Sequence, residues 1–356
     1  MNAPLKEPEL IVRREGAAGV IRLNRPKAIN ALTLQMARGI DAALDGFAAD
    51  PEVALVLIEG AGERGLCAGG DIRGLYDSAQ QGGDLGPVFW REEYLLNARI
   101  ASFAKPYVAL MDGLVMGGGV GISAHGSHRI VSETTKVAMP EVGIGFFPDV
   151  GGSYLLSRSP GEIGSYFGLT GAIMNGADAI YAGFADSYVP QSAWPALRDA
   201  LTQAPAATAA QVRGIVARFA AAPQPGAAEL HRDRIDAAFA HDTVEEIVSA
   251  LSRYGSEFAR ATLQALQSKS PTSLKVTLKL LREARRLPSL RACLIAEYRA
   301  ALQVFVSADF VEGIRAAVID KDRSPKWQPS RLEDVSDDIV ARYFVGRGEK
   351  ELQFPD

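Results

Sequence analysis

The chain has 356 residues, and its 38 basic and 42 acidic residues give a formal net charge of −4 at pH 7. Hydrophobic residues make up 47% of the sequence, which is enough apolar surface for a core and excludes a disordered or collagen-like protein. The slightly acidic balance argues against nucleic-acid binding.

The first part of the chain alternates strand patterns with helical ones. The predicted strands are an opening hairpin of Leu10–Arg13 and Gly19–Leu23, then Val53–Ile58, Tyr107–Met111, His128–Val131 and Val137–Met139. The predicted helices are Thr33–Phe47 with Thr33 as N-cap, one from about Gly118, and Ile163–Leu169. This alternation predicts an α/β protein with parallel pairing, and its short strands and frequent glycine turns favour a coiled, repeating arrangement.

Strand-like alternation disappears in the later part of the chain, where the spacing of apolar residues is helical. The predicted helices there are Val244–Tyr254, Ser256–Gln267, Ser273–Arg286 and Leu290–Val306. The sequence therefore predicts two parts, an α/β core over residues 1–200 and a helical linker with a C-terminal helical region over residues 201–356.

Cysteine, histidine and targeting signals are sparse. Cys67 and Cys293 are too few for a disulfide framework, so we expect reduced thiols, with Cys67 serving packing. His125 and His128 lack a third ligand nearby, so no metal site is expected. Residues 1–8 contain no apolar signal, and no membrane-spanning window is found. We therefore expect a soluble cytoplasmic protein without membrane contacts.

Three glycine-rich segments invite a functional interpretation. Gly60–Gly65 matches G-x-G-x-x-G, but another glycine turn follows it where a dinucleotide site needs a helix. The turns Ala68–Asp71 and Met116–Gly119 each follow a strand pattern and precede a predicted helix. Backbone N–H groups there could converge on a carbonyl oxygen as an oxyanion hole. Close backbone packing explains the same glycines, and both interpretations stay open.

Both turns, in Cys67–Ile72 and Gly113–Gly119, together with Leu23–Leu32, resemble the signatures of the crotonase (enoyl-CoA hydratase/isomerase) superfamily. The resemblance implies a spiral of ββα units. It also implies an acyl-CoA substrate whose thioester carbonyl is polarised by the N–H groups of Gly70 and Gly118, with Ala68 in contact. Lys27 and Arg73 would lie near the CoA nucleotide, although solvated surface charge explains them equally.

The carboxylates distinguish branches of this superfamily. Hydratases use two glutamates, and here Gly121 stands at the first position and Glu141 at the second. An additional acid, Asp149, follows in Phe146–Gly152. With the tail motif of residues 309–327, this set resembles a thioester-hydrolase branch. The resemblance implies conversion of 3-hydroxyisobutyryl-CoA and water to 3-hydroxyisobutyrate and CoA, a step of valine catabolism.

The resemblance also implies roles for individual residues. Glu141 would act as general base on water or attack directly to form a mixed anhydride. Asp149 would hold the 3-hydroxyl of the substrate or orient Glu141 and water, whereas Glu93, Phe146 and Phe147 would contact the acyl group. Each residue also has a purely structural explanation. Asp149 could be a turn residue, Glu93 a charge on an exposed helix surface, and Glu141 an acid in an exposed loop.

Two other functions remain open. One is an enoyl-CoA hydratase or isomerase that uses a single acid, and the other is a non-catalytic acyl-CoA-binding or RNA-binding relative. No cofactor is expected, because CoA is part of the substrate. Relatives in the family assemble as trimers through C-terminal helices, so a homo-oligomer is possible, but the longer tail here could instead fold over its own pocket.

Overall fold

The structure is a computed structural model that describes residues 7–204 and 208–355. Eight β-strands lie in these ranges: β1 Leu10–Glu15, β2 Ala18–Leu23, β3 Leu55–Gly60, β4 Tyr107–Leu110, β5 Leu114–Met116, β6 His128–Val131, β7 Lys136–Ala138 and β8 Ser187–Tyr188. The six strands predicted from sequence are all present, with shifted bounds, for example Leu55–Gly60 in place of Val53–Ile58. Strands β5 and β8, of three and two residues, were not predicted from sequence.

Six strands form one sheet in the order β1-β2-β3-β4-β6-β8. Strands β1 and β2 pair antiparallel as the predicted hairpin, and every later neighbour pairs parallel. Side chains alternate between the two faces of a strand. On β3, Leu57 belongs to a smaller apolar cluster on one face of the sheet, and its neighbour Ile58 belongs to the larger apolar core on the other face.

Strands β5 and β7 form a second, smaller parallel sheet. Single bridges extend this inner layer, between Leu32 and Gly70, between Cys67 and Val115, and between Val137 and Met174. Each turn of the chain therefore passes from the large sheet into the inner layer and then into a helix. Both glycine turns lie in this inner layer.

Helices surround the sheets. The first nine are α1 Leu34–Ala49, α2 Ile72–Gln80, α3 Leu85–Ala101, α4 Gly118–Gly121, α5 Gly152–Ser157, α6 Ile163–Thr170, α7 Gly176–Tyr181, α8 Trp194–Thr202 and α9 Ala209–Ala217. The remaining eight are α10 Ala227–Leu230, α11 Arg232–Phe239, α12 Val244–Tyr254, α13 Glu257–Gln267, α14 Pro271–Ala284, α15 Leu290–Phe305, α16 Ala308–Ile314 and α17 Asp337–Ala341. Thr33 caps α1 as predicted, because its side chain accepts a hydrogen bond from the Met36 N–H.

The C-terminal region packs back on the core of its own chain. Helix α15 contacts α3 and α5, α14 contacts α5 and α6, and α16 contacts α2 and the 3₁₀ turn Glu141–Ile144. This last contact is close, since a Cβ added to Gly313 would lie 2.3 Å from the Ile144 carbonyl carbon. The tail therefore lies over this chain's own turn at residues 141–144.

No helix in the described part of the chain is both long and apolar enough to cross a membrane. Cys67 and Cys293 are free and buried, in agreement with the expected reduced thiols.

Candidate active site

A cavity of about 830 Å³ lies between the α/β core and the C-terminal region. Seven of the residues predicted from sequence line it: Ala68, Gly70, Glu93, Gly118, Glu141, Phe146 and Asp149. The C-terminal region contributes the opposite wall, including Lys269, Phe310 and Arg323. Residues separated by more than 200 positions in sequence thus meet at one site.

Two unpaired backbone amides adjoin each other in this cavity. The Leu32 N–H donates to the Gly69 carbonyl and the Asp71 N–H donates to the Leu32 carbonyl, at 2.8 and 2.9 Å. The N–H of Gly70 consequently points away from Leu32. Gly118 opens α4, so its N–H has no partner within the helix. A Cβ added to Gly118 would lie 3.4 Å from the Gly70 nitrogen, and within the described ranges neither N–H has an acceptor.

The two interpretations of these glycines apply to different residues. At Gly119, a Cβ would lie 2.4 Å from the Cys67 carbonyl oxygen, so close backbone packing requires glycine there. Gly117 adopts φ 46°, in the left-handed region that favours glycine. Gly70 and Gly118 instead present free donors to the cavity. This geometry suits a developing negative charge on a carbonyl oxygen.

The N-terminal signature holds the first glycine turn in place. Arg25 Nη2 donates to Asp71 Oδ2 at 2.9 Å, and Arg25 Nη1 donates to the Ala31 carbonyl at 2.6 Å. The buried Asn30 amide donates to the Gly65 carbonyl at 3.0 Å. Sequence reasoning quoted these residues as part of a motif without finding their task, which is to connect the loop of residues 24–31 to the turn that carries Gly70.

Two buried carboxyl groups flank the second glycine turn. Glu93 is 2% exposed and Glu141 is 7% exposed, so neither is a surface charge. A Cβ added to Gly118 would lie 2.5 Å from Glu93 Oε1, and one added to Gly117 would lie 3.0 Å from Glu141 Oε1. Glu93 Oε1 and Glu141 Oε2 are buried without a hydrogen-bond partner. Buried polar atoms normally form hydrogen bonds, so both oxygens are available to accept or share one with a bound ligand or water.

Burial shifts the titration of this acidic cluster. It raises the pKa of both Glu93 and Glu141 well above the usual value, and the charge of Asp149 adds to each shift. Burial likewise raises the pKa of Asp149 to about 7, against the opposing hydrogen bond from Tyr94. Because like charges in one site disfavour joint ionisation, the cluster disfavours having all three carboxyl groups ionised at once.

Helix α3 supplies two residues that sequence reasoning missed. The Tyr94 hydroxyl donates to Asp149 Oδ2 at 2.7 Å. Asn97 is fully buried, and both polar atoms of its amide lack partners. Asn97 lies four residues after Glu93, a spacing that places helical side chains close together, and this was the available signal for Asn97. Tyr94 directly follows Glu93 and gave no such signal.

Asn97 also explains the glycine at position 121. A Cβ added to Gly121 would lie 2.7 Å from Asn97 Nδ2 and 2.8 Å from Val150 Cβ. The space that an acidic side chain at this position would need is therefore filled. The structure thus gives a steric reason for the missing first glutamate of the hydratase pattern.

Three predicted binding residues do not reach the cavity. Lys27 and Arg73 are exposed and do not line its wall, and Arg73 instead donates to the Val318 carbonyl at 3.4 Å. Phe147 is buried behind Phe146, with ring centroids 4.6 Å apart. The resemblance implied binding roles for all three residues, but it does not determine which side chains line the cavity.

The cysteine and histidine residues near the site have structural rather than catalytic roles. Burial raises the pKa of Cys67 to about 12, which disfavours the thiolate needed for nucleophilic attack. His125 Nε2 lies 2.7 Å from the Val150 carbonyl, and His128 Nε2 lies 3.0 Å from the Ala209 carbonyl. Among residues 7–204 and 208–355, no group of three or more His, Cys, Asp or Glu side chains is arranged to hold a metal ion.

The spiral fold, the paired amides and the buried carboxyl groups define a class of acyl-transferring or acyl-hydrating enzymes. A model described as Enoyl-CoA hydratase/isomerase matches residues 18–344, and the chain belongs to this family. Two solved structures cover nearly the whole chain. They are a carnitinyl-CoA dehydratase from Mycobacterium thermoresistibile (45% identical, 97% of this chain and 98% of that one, TM-score 0.92) and an enoyl-CoA hydratase from Rhodobacter sphaeroides (45% identical, 98% and 100%, TM-score 0.91). The predicted crotonase fold with a helical C-terminal region is confirmed.

Curated relatives carry a different name. The chain is 43% identical over 357 residues to the mitochondrial 3-hydroxyisobutyryl-CoA hydrolase of Xenopus tropicalis, covering 99% of this chain and 92% of the relative. Identity to the enzyme of the same name from Homo sapiens is 40% over 351 residues, covering 97% and 91%.

The names of these relatives overturn the cytoplasmic expectation, because both are mitochondrial proteins. That expectation rested on the composition of residues 1–8, of which residues 1–6 lie outside the described ranges. The composition of so short a segment does not determine where a folded enzyme works.

Proposed function

We propose that this protein hydrolyses the thioester of 3-hydroxyisobutyryl-CoA to 3-hydroxyisobutyrate and free CoA. The curated relatives of that name at 40–43% identity support the substrate. One structural observation carries the reaction type. The unpaired N–H groups of Gly70 and Gly118 adjoin the buried carboxyl group of Glu141, whereas position 121, where a hydratase has its other acid, is a glycine packed against Asn97.

The proposed reaction begins with the thioester carbonyl oxygen between the N–H groups of Gly70 and Gly118, which stabilise the negative charge of the tetrahedral intermediate. Ionised Glu141 provides the attacking oxygen. It either removes a proton from water that attacks the carbonyl carbon, or attacks that carbon itself to give a mixed anhydride that water then cleaves. In both routes the C–S bond breaks and CoA leaves as a thiolate.

Asp149 is assigned to the 3-hydroxyl of the substrate. Its Oδ2 accepts the hydrogen bond from Tyr94, and its carboxyl group lines the cavity. An acceptor fixed in this way distinguishes an acyl group with a 3-hydroxyl from one without it. Glu93, with its free Oε1 above Gly118, faces the same part of the cavity.

Lys269 and Arg323 are assigned to the CoA phosphates, in place of Lys27 and Arg73. Both line the cavity. Burial lowers the pKa of Lys269, and in the described part of the chain no carboxylate forms an ion pair with it. A phosphate group would supply the missing counter-charge to a partly desolvated cation.

The assignment of Glu141 is tested by Glu141→Gln, which preserves shape but cannot accept a proton. Thiol release from 3-hydroxyisobutyryl-CoA should fall by about 10²–10⁴-fold, while binding of the CoA ester persists in calorimetry. Glu92→Gln is the matched control, because Glu92 pairs with Arg38 away from the cavity. Full activity of the Glu141 variant would refute its role.

Enoyl-CoA hydration is the second candidate, and one observation favours it. Glu93 and Glu141 carry unpartnered oxygens on two sides of the second glycine turn, and a pair of carboxyl groups can move both protons of water. The titles of the two 45% identical structures name hydratase or dehydratase activity. Loss of enoyl absorbance without thiol release would identify this reaction.

A further inference from the structure

We propose that Glu297, on helix α15 of the C-terminal region, is a positioning residue that holds the turn carrying Asp149 in its working geometry. The inference rests on the proposed function for the role of Asp149. Glu297 does not line the cavity, so any effect on the reaction must pass through another residue.

Glu297 binds the backbone directly after Asp149. Its side chain is fully buried. Oε2 accepts the Gly151 N–H at 2.7 Å, and Oε1 accepts the Ser153 N–H at 3.0 Å together with a short hydrogen bond from the Ser153 hydroxyl. One carboxyl group from a helix distant in sequence thus accepts hydrogen bonds from three donors on two residues. Burial raises the pKa of Glu297 to about 8, and these hydrogen bonds oppose that shift.

The turn that Glu297 binds is strained. Val150 has φ 51° and Gly151 has φ 77°. A left-handed conformation is unfavourable for a β-branched residue and persists only when its surroundings enforce it. His125 Nε2 lies 2.7 Å from the Val150 carbonyl and donates to it. His125 and Glu297 therefore both bind the strained segment.

The strain determines where the Asp149 side chain points. With Val150 held left-handed, Asp149 reaches the Tyr94 hydroxyl at 2.7 Å and lines the cavity. If the Glu297 contacts were lost, Val150 would relax toward an ordinary conformation and Asp149 would turn away from Tyr94. Through Glu297, the C-terminal region thus fixes an acid of the core.

The test is a double-mutant cycle between Glu297→Gln and Asp149→Asn, measured as thiol release. Gln retains the size of Glu but opposes its NH₂ group to a backbone N–H. We expect Glu297→Gln to lower kcat about 10-fold with KM within twofold. In the Asp149→Asn background the same change should alter kcat less than twofold, because the effects of two residues that act through one another are not additive. Asp178→Asn is the matched control, because Asp178 is also buried and accepts the Ala228 N–H at 2.9 Å; its kcat should be unchanged.

Each outcome decides the proposal. Unchanged kcat in Glu297→Gln, or losses that multiply in the double variant, would overturn it. Should Glu297→Gln fail to fold in a thermal melt, Ser153→Ala replaces it in the same cycle, with an expected kcat loss of about threefold from one lost hydrogen bond. Absence of thiol release by the wild-type enzyme would refute the proposed function instead, so the two failures are distinguishable.

Discussion

The side chain of Asn97 occupies the space that a side chain at position 121 would need. The sequence indicated that an acid was missing at Gly121, but nothing in the chain indicated that an amide from helix α3 had taken its place. Single residues with a motif, such as Gly70, Gly118 and Glu141, were predictable from sequence. Asn97 and Glu297 belong to no motif, and only packing reveals what they do.

Gly121→Ala tests whether this space is filled. The added methyl group would lie 2.7 Å from Asn97 Nδ2 and 2.8 Å from Val150 Cβ, and overpacking of this kind costs about 1–3 kcal/mol. Urea unfolding should show this loss. Gly46→Ala in helix α1 is the control, because a Cβ there meets nothing within 4 Å, and it should leave stability equal or higher. A Gly121 variant as stable as wild type would contradict the packing argument.

The raised pKa of Asp149 predicts a pH-dependent effect on stability. Burial raises the pKa of Asp149 from its ordinary value of 3.8 to about 7 in the folded state, so between these pH values the folded state holds a proton that the unfolded chain releases. The stability of the wild type therefore falls as pH rises from about 4 to about 7. Asp149→Asn removes this contribution and still accepts the Tyr94 hydrogen bond. Its Tm should exceed that of wild type at pH 8, and the gap should narrow at pH 5; a gap independent of pH would refute the raised pKa.

Helix α3, Leu85–Ala101, was not predicted; it carries Glu93, which lines the cavity, and the buried residues Tyr94 and Asn97. An amphipathic helix is recognised by a continuous apolar stripe, and Glu93 and Asn97 interrupt that stripe with polar residues on the buried side. Helix α12 shows the opposite case. Its bounds, Val244–Tyr254, match the prediction because a capping box at Thr243 fixes its start.

Two loops of the C-terminal region carry the cations that we assign to the CoA phosphates. Lys269→Ala and Arg323→Ala should each raise KM by about 10- to 100-fold, the value of one charge-assisted hydrogen bond. The kcat should be unchanged, because the phosphates are bound equally in ground and transition states. Lys27→Ala and Arg73→Ala serve as controls and should leave KM within twofold. A larger effect in these controls would restore the assignment made from sequence.

At the scale of the whole molecule, the predicted division into residues 1–200 and 201–356 follows the change in composition along the chain. It does not separate the functional site from the rest, because both parts contribute to the site. The cavity lies between the two parts. Lys269 and Arg323 of the second part line it, and Glu297 binds the backbone that follows Asp149. Periodicity and family resemblance were enough to predict the fold, since these signals are local. Contacts across the two parts were not predictable, because no single segment contains them. A trimeric assembly stays a prediction.

The central claim is that the reaction releases a thiol. The most direct measurement follows free thiol and enoyl absorbance in the same sample with 3-hydroxyisobutyryl-CoA, 3-hydroxypropionyl-CoA, 3-hydroxybutyryl-CoA and crotonyl-CoA. Hydrolysis predicts thiol release that is fastest with 3-hydroxyisobutyryl-CoA and no loss of enoyl absorbance from crotonyl-CoA. Consumption of crotonyl-CoA with no thiol release from any of the four esters would contradict it.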